Sequence, residues 1–546
     1  MARTSDLPGG SPAGNTDPRL AAGAAEPQRG EASAGAEPSK WLTLTAVCLG
    51  TFMLLLDITI VNVALPDIQH SLKASFSDLQ WVVDAYALTL AALLLTAGAL
   101  ADMYGRRLLY IVGLVVFTVA SMMCGFAPTH LFLELSRALQ GVGGAIMFSV
   151  SLALLAHAFR GKDRAVAFAI WGAITGIAVA IGPLLGGALT SGLSWRWIFF
   201  VNLPVGAVAL WITVTRVPES KTPDARRPDW VGAATFTTAL ASLVYALIES
   251  STVGFGASRV VACFAAAGVL LIAFLVAERL GKYPMFDLGL FRLPTFSGGL
   301  IAAFGLSASI FSMFLYLVLY IQDTLGFSPF QTGLRLLIIS GGILVTSTVA
   351  GRLTQHVPLR WLIGPGLLIV TVGLLLMRGL TASSSWTHLI AGFIVAGAGV
   401  GLVNPPLAST AVGVVHPQRA GMASGINTTF RQVGIATGIA LLGTLFSHRL
   451  HDQIVANLAR VPGAAGHTAT IASALKSGQI GQALSTLPAG LRAPVAGAAR
   501  GAFTDGLNLI LLVGAIIALV SGLIALLSIR SKDFAPHAPV PAGSGA

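Results

Sequence analysis

The strongest constraint on this chain is a run length that repeats. From Trp41 onward we read fourteen apolar runs of 18 residues or more: 42–65, 80–101, 108–127, 131–156, 165–190, 198–215, 230–250, 259–279, 296–321, 331–352, 360–379, 388–412, 422–446 and 505–529. A helix rises 1.5 Å per residue, so each run crosses a hydrocarbon layer of roughly 30 Å. Backbone in lipid must satisfy its own hydrogen bonds, which leaves a bundle of transmembrane helices as the fold. Only 10% of the 546 residues are charged and 55% are apolar, against about 25% charged in soluble domains. The net charge of +11 does not point to nucleic acid, because the basic residues fall singly or in pairs between apolar runs.

Those basic residues set the topology. The short loops after even-numbered runs hold 15 Lys and Arg, and those after odd-numbered runs hold about five. An even number of crossings and this bias place both termini in the cytoplasm of a multi-pass cell-membrane protein. Residues 1–39 are rich in Ala, Gly, Pro, Ser and Glu and read as a disordered cytoplasmic tail, with 531–546 as a second. The 447–503 segment then lies outside, as a surface-lying amphipathic pair or, on balance, a solvated loop. Cys48, Cys124 and Cys263 all fall within apolar runs at no metal-ligand spacing, so neither a disulfide nor a metal is implied, and no cofactor motif occurs.

One charged turn interrupts the second and third runs: Gly98 to Leu109, GALADMYGRRLL. Asp102, Arg106 and Arg107 are costly in hydrocarbon, so the turn lies at a membrane surface, while Gly98 and Gly105 permit a tight bend and close packing. The string resembles the signature loop of the major facilitator superfamily, G-x-L-A-D-x-x-G-R-R/K-x-x-L, at every fixed position. Further strings narrow the resemblance to its fourteen-helix drug:proton antiporter branch. Leu56-Asp57-Ile58-Thr59-Ile60-Val61-Asn62-Val63-Ala64-Leu65-Pro66 is similar to the first-helix motif of that branch. Leu133 to Gly141 resembles L-x-x-x-R-x-x-Q-G, with Arg137 and Gln140 on one helical face. Gly172, Gly176, Gly182, Pro183, Gly186 and Gly187 resemble the antiporter motif of the fifth helix, and Trp195 to Pro204 matches W-R-W-I-F-x-x-N-x-P.

The resemblance implies an all-α fold of two six-helix bundles, 40–217 and 290–530, flanking an extra helix pair within 218–289. Substrate would bind between the bundles near the midplane. It also implies a monomeric, proton-driven exporter of hydrophobic drugs or antibiotics, cationic ones included, that confers resistance, with membrane lipid and protons as its other partners. An intramembrane acid normally faces a cavity and serves ion movement, which makes Asp57 the principal proton carrier, with Asp84 and Glu134 as further candidates. Arg137 needs an anionic or carbonyl partner; Asp57, Glu134 and backbone carbonyls all remain open. Gly98, Asp102, Gly105, Arg106 and Arg107 are expected to gate the conformational change, Asp102 by capping a helix start near Gly421 to Gly425. Gln140, Asn427, Arg431 and Gln432 are expected in the substrate cavity. An ATP-driven pump is excluded, since no G-x-x-x-x-G-K-[ST] occurs. A passive facilitator, or an exporter of an endogenous metabolite, is the competing reading.

Overall fold

The computed structural model describes residues 37–159, 161–221, 229–281, 284, 288–354, 356–415, 420–459, 461 and 487–534. Among them there is no strand. Each of the fourteen expected segments coincides with a helix: α1 Glu37–Leu72, α2 Phe76–Tyr104, α3 Arg106–Gly125, α4 His130–Ala158, α5 Gly161–Gly192, α6 Trp197–Arg216, α7 Trp230–Val253, α8 Ser258–Leu280, α9 Pro294–Thr324, α10 Pro329–Leu353, α11 Arg360–Leu376, α12 His388–Gly413, α13 Ala420–Leu458 and α14 Ala489–Ser528. Twelve are long and apolar enough to cross a membrane, thirteen when the two segments of α2, bent by 51°, are taken as one, and α11 is shorter.

α3 shows how such helices divide their faces. Leu108, Val112, Val115, Val119 and Met122 stand exposed along one stripe, where lipid tails replace water as the apolar solvent. Tyr110, Gly113, Phe117, Ser121 and Cys124 occupy the buried stripe, where small and polar residues alternate with two aromatic rings.

α1 to α6 pack into one bundle and α9 to α14 into a second. α7 seats Leu240, Val244 and Ile248 on Ala87, Leu88 and Ala91 of α2 and Ala436 and Ala440 of α13, so the extra pair covers a seam between the bundles. Several helix pairs cross from one bundle to the other, α1 with α9 among them. α5 meets α10, and α2 meets α13, where the Thr429 hydroxyl donates to the Ala91 carbonyl at 3.3 Å.

The 447–503 segment departs from a solvated loop. α13 continues to Leu458 and α14 begins at Ala489, and Ile454, Leu458, Val495 and Ala499 join the main core. The Asn457 amide donates to the Ala498 carbonyl at 3.3 Å, tying the two extensions together. α13 has 39 residues and spans about 58 Å, well beyond a hydrocarbon layer. Ala, Leu and Val at helical spacing supply an apolar face here, although their density is too low to read as a span. Residues 462–486 lie outside the described residues, as do 1–36 and 535–546 of the expected tails; α1 already begins at Glu37.

Candidate functional site

Four helices converge on Asp57. It lies in the interior of α1 with no solvent exposure, on the face turned to α4, and is not a cap at the helix end. Arg137 and Gln140, one turn apart on α4, close a ring with it. Arg137 Nη1 donates to Asp57 Oδ2 and, at 2.7 Å, to Gln140 Oε1; Gln140 Nε2 donates to Asp57 Oδ1 at 2.9 Å. Arg137 Nε donates to the Val82 carbonyl of α2 at 3.1 Å, and the guanidinium stacks 4.3 Å from the Tyr86 ring centroid. Both carboxylate oxygens are occupied by donors, which is the arrangement an ionised acid needs away from water.

Arg137 therefore takes Asp57 and one backbone carbonyl, and Glu134 has a different partner. Glu134 Oε1 lies 3.2 Å from His130 Nδ1, and Asp78 Oδ1 lies 3.6 Å from the same nitrogen, near the loop at 126–129. Sequence reasoning missed that cluster because Asp78 belongs to α2. It also missed Asn202, the asparagine of the W-R-W-I-F string. Asn202 Nδ2 bonds Ser121 Oγ at 3.0 Å and reaches Asp57 Oδ1 at 3.5 Å, so α6 buttresses the ring. Its signal was a polar residue at a fixed place in an otherwise aromatic and apolar string.

Asp84 is as buried as Asp57, yet neither of its oxygens has a hydrogen-bond partner among the described residues. One turn away, Gln80 Nε2 donates to the Ile439 carbonyl of α13 at 2.9 Å, and Tyr316 of α9 donates to the same carbonyl at 2.8 Å. Asp84 thus belongs to the seam between the bundles.

The antiporter glycines divide into two groups. Side-chain carbons at Gly182 and Gly186 would strike Thr59 and Ile60 of α1, and one at Gly187 would lie 2.9 Å from the Phe330 Cα of α10. From the other side, Gly333 of α10 abuts the Pro183 carbonyl. Here the backbones of α5 and α10 touch, and only glycine permits it. Gly172 would meet nothing within 4 Å and Gly176 only Leu344 at 3.7 Å, so the contact loosens toward the other end of the same helices. The tight end is also bridged by Gln322 Nε2 donating to the Val63 carbonyl at 2.7 Å and Phe330 N donating to Ser191 Oγ at 3.0 Å.

A cavity lies below that closure, between the bundles. α1 contributes Ile58, Thr59 and Asn62, α9 Phe311 and Phe314, and α13 Ile435 and Ile439. The lining carries no charged side chain. None of the four residues expected in the cavity is part of this lining: Gln140 belongs to the Asp57 ring, while Asn427, Arg431 and Gln432 sit on α13 before Ile435.

At the signature turn, Gly105 has φ of 124°, a conformation that disfavours other residues. Arg106 donates to Asp102 Oδ1 at 2.9 and 3.0 Å. Glu219, unforeseen from sequence, accepts from the backbone of Arg107 at 3.0 Å and Leu108 at 3.1 Å, capping α3. Gly98 faces Ser149 of α4 at 3.8 Å. The α13 start assigned to Asp102 follows residues 416–419, which lie outside the described residues.

Two helical bundles around an interbundle cavity, with a buried acid–base pair beside it, define a multi-pass membrane carrier. The chain belongs to the Major Facilitator Superfamily, which it matches over residues 47–439. It is 38% identical over 420 residues to the multidrug resistance protein Stp of Mycobacterium tuberculosis, covering 77% of this chain and 78% of that protein. It is 35% identical over 461 residues to the puromycin resistance protein pur8 of Streptomyces alboniger, covering 83% and 92%. To the tetracenomycin C resistance and export protein of Streptomyces glaucescens it is 31% identical over 521 residues, covering 94% and 96%. The fold is similar to that of a bacterial homologue of the human lysosomal transporter Spinster, solved inward-facing and occupied: TM-score 0.61, 18% identity, 92% of this chain and 99% of that one.

Proposed function

We propose that this chain is a proton-driven exporter of hydrophobic drug-like compounds, with fourteen crossings and both termini in the cytoplasm. The Asp57–Arg137–Gln140 ring, one residue along α1 from the cavity-lining Ile58, carries the reading. A proton arriving on Asp57 removes the anion that Arg137 holds. The α1–α4 link weakens, and the guanidinium keeps only Gln140 and the Val82 carbonyl. Proton and substrate then bias the same two-state element, which is the definition of coupling.

Asp84 has a second task in this scheme. A buried ionised carboxylate with no donor costs several kcal/mol, so the α2–α13 seam closes on the neutral acid. Charge bias puts the tight ends of α5 and α10 outside, so this state is closed to the exterior. One proton falling through about 150 mV releases roughly 3.4 kcal/mol, enough for a few hundred-fold gradient of a neutral substrate. Names of the relatives that include drug or antibiotic resistance support the substrate class.

Purified protein in liposomes tests the proposal: Asp57→Asn should abolish drug accumulation driven by an imposed pH gradient while drug binding stays measurable, and Asp57→Glu should retain part of the activity. Full accumulation by Asp57→Asn would refute the role. Topology is tested in whole cells lacking Cys263: Gly490→Cys should react with an impermeant thiol reagent and Lys532→Cys should not, and the reverse pattern would overturn the fourteen-crossing scheme.

A further inference from the structure

Charge is distributed unevenly through the core of the two bundles. The N-terminal bundle holds Asp57, which is paired with Arg137, and Asp84, which is sealed in the seam. In the middle of the C-terminal spans, among the described residues, the charged side chain is Arg431. It has no hydrogen-bond or ion-pair partner among them, and the residue is half-buried. An unpaired guanidinium at membrane depth is expensive, and such groups mark substrate or ion pathways.

Its position on α13 says what it faces. At about 100° per residue, Arg431 is about 40° around the helix from Ile435, which lines the cavity, and about 20° from Gly438, which abuts Ala308 of α9. It is turned by about 160° from Thr429, which is bonded to α2. The side chain leans toward the helix N-terminus, away from the closed end of the cavity. One turn further that way, Asn427 is 5% exposed and its Nδ2 has no acceptor. Two sets of donors with nothing to donate to stand on successive turns beside a cavity that presents no acid.

We infer that Arg431 and Asn427 form an anion subsite at the inner mouth of the cavity, and that the preferred substrates join a carboxylate, phenolate or comparable deprotonated group to an apolar body. The inference rests on the exporter reading and names its substrate class. The apolar body fits the Phe311, Phe314, Ile435 and Ile439 walls, and the anion replaces the missing partner of Arg431. Charge also alters the energetics. A monoanion leaving carries one more charge than a neutral molecule, so about 60 mV of added potential raises its gradient about tenfold more.

Fluorescein and rhodamine 123 share a xanthene body and differ in charge, which makes them the probes. The full chain in nanodiscs should bind anionic fluorescein at least about tenfold more tightly than cationic rhodamine 123. Arg431→Gln should remove about tenfold or more of the fluorescein affinity, Arg431→Lys should restore most of it, and Asn427→Leu should cost a few-fold. Equal or tighter binding of rhodamine 123, or unchanged fluorescein affinity in an Arg431→Gln protein that elutes as wild type, would overturn the inference. Liposome transport separates the two readings. Gradient-driven movement of rhodamine 123 alone keeps the exporter and removes the anion subsite. Arg431-dependent fluorescein binding without transport of either dye keeps the subsite and removes the exporter.

Discussion

Asp57 and Asp84 are both completely buried carboxyl groups in the N-terminal bundle, and the structure treats them in opposite ways. Asp57 lies inside one bundle, where α4 and α6 supply a guanidinium and two amides. Asp84 lies where two bundles meet, and no described side chain gives it a donor. A rigid bundle interior can hold a charge because its partners travel with it. A seam that must open and close suits a group that is neutral when shut and hydrated when open, since fixed donors would have to be torn away in every cycle.

The comparison breaks most visibly at the ring. Arg137→Gln leaves Asp57 without its cation and should lower stability by about 3–5 kcal/mol, read as a fall in the denaturation midpoint of purified protein. A wild-type midpoint would mean that the pair holds nothing together. Next comes the seam itself: Gly187→Val pushes a branched side chain into α10 and should cost about 1–3 kcal/mol, whereas Gly172→Ala, with open space before it, should change stability by less than about 1 kcal/mol. Equal effects would remove the distinction between the tight and loose ends of α5. Asn202→Ala takes one amide from the ring and from Ser121 and should cost about 1–2 kcal/mol in the same assay. The smallest change is expected at Asp84. Asp84→Asn should stay within about 1 kcal/mol of wild type while slowing the labelling of a Phe76→Cys probe by an external thiol reagent, because a seam that cannot ionise stays closed. Faster labelling would assign Asp84 the opposite role.

Much of this is legible in the amino-acid sequence. Run length announced helices because lipid offers the backbone no hydrogen bonds, and each of the fourteen runs overlaps a helix over most of its length. Motif strings pointed to Asp57, Arg137 and the glycines of α5 because their residue types are costly or unusual in a span. At both flanks of 447–503 the sequence favours a solvated loop over a surface-lying amphipathic pair and the structure has helix: hydropathy averages a window, whereas Ile454, Leu458, Val495 and Ala499 stabilise their helices by packing on one face only.

Pairing was beyond the sequence for a physical reason. Glu134 and Asp57 were equally good partners for Arg137 by chemistry, and only the seating of α1 against α4, with His130 occupying Glu134, chose between them. Glu219 and Asn202 were ordinary polar residues until the loop after α6 met the start of α3 and α6 itself met α1. The amino-acid sequence by itself determined that this chain crosses a membrane many times and which costly groups it carries there, because both follow from transfer free energies of single residues and local runs. Which charges neutralise each other, which glycines touch, and which cation is left without a partner were decided by tertiary packing, because they depend on distances between helices that no local pattern encodes.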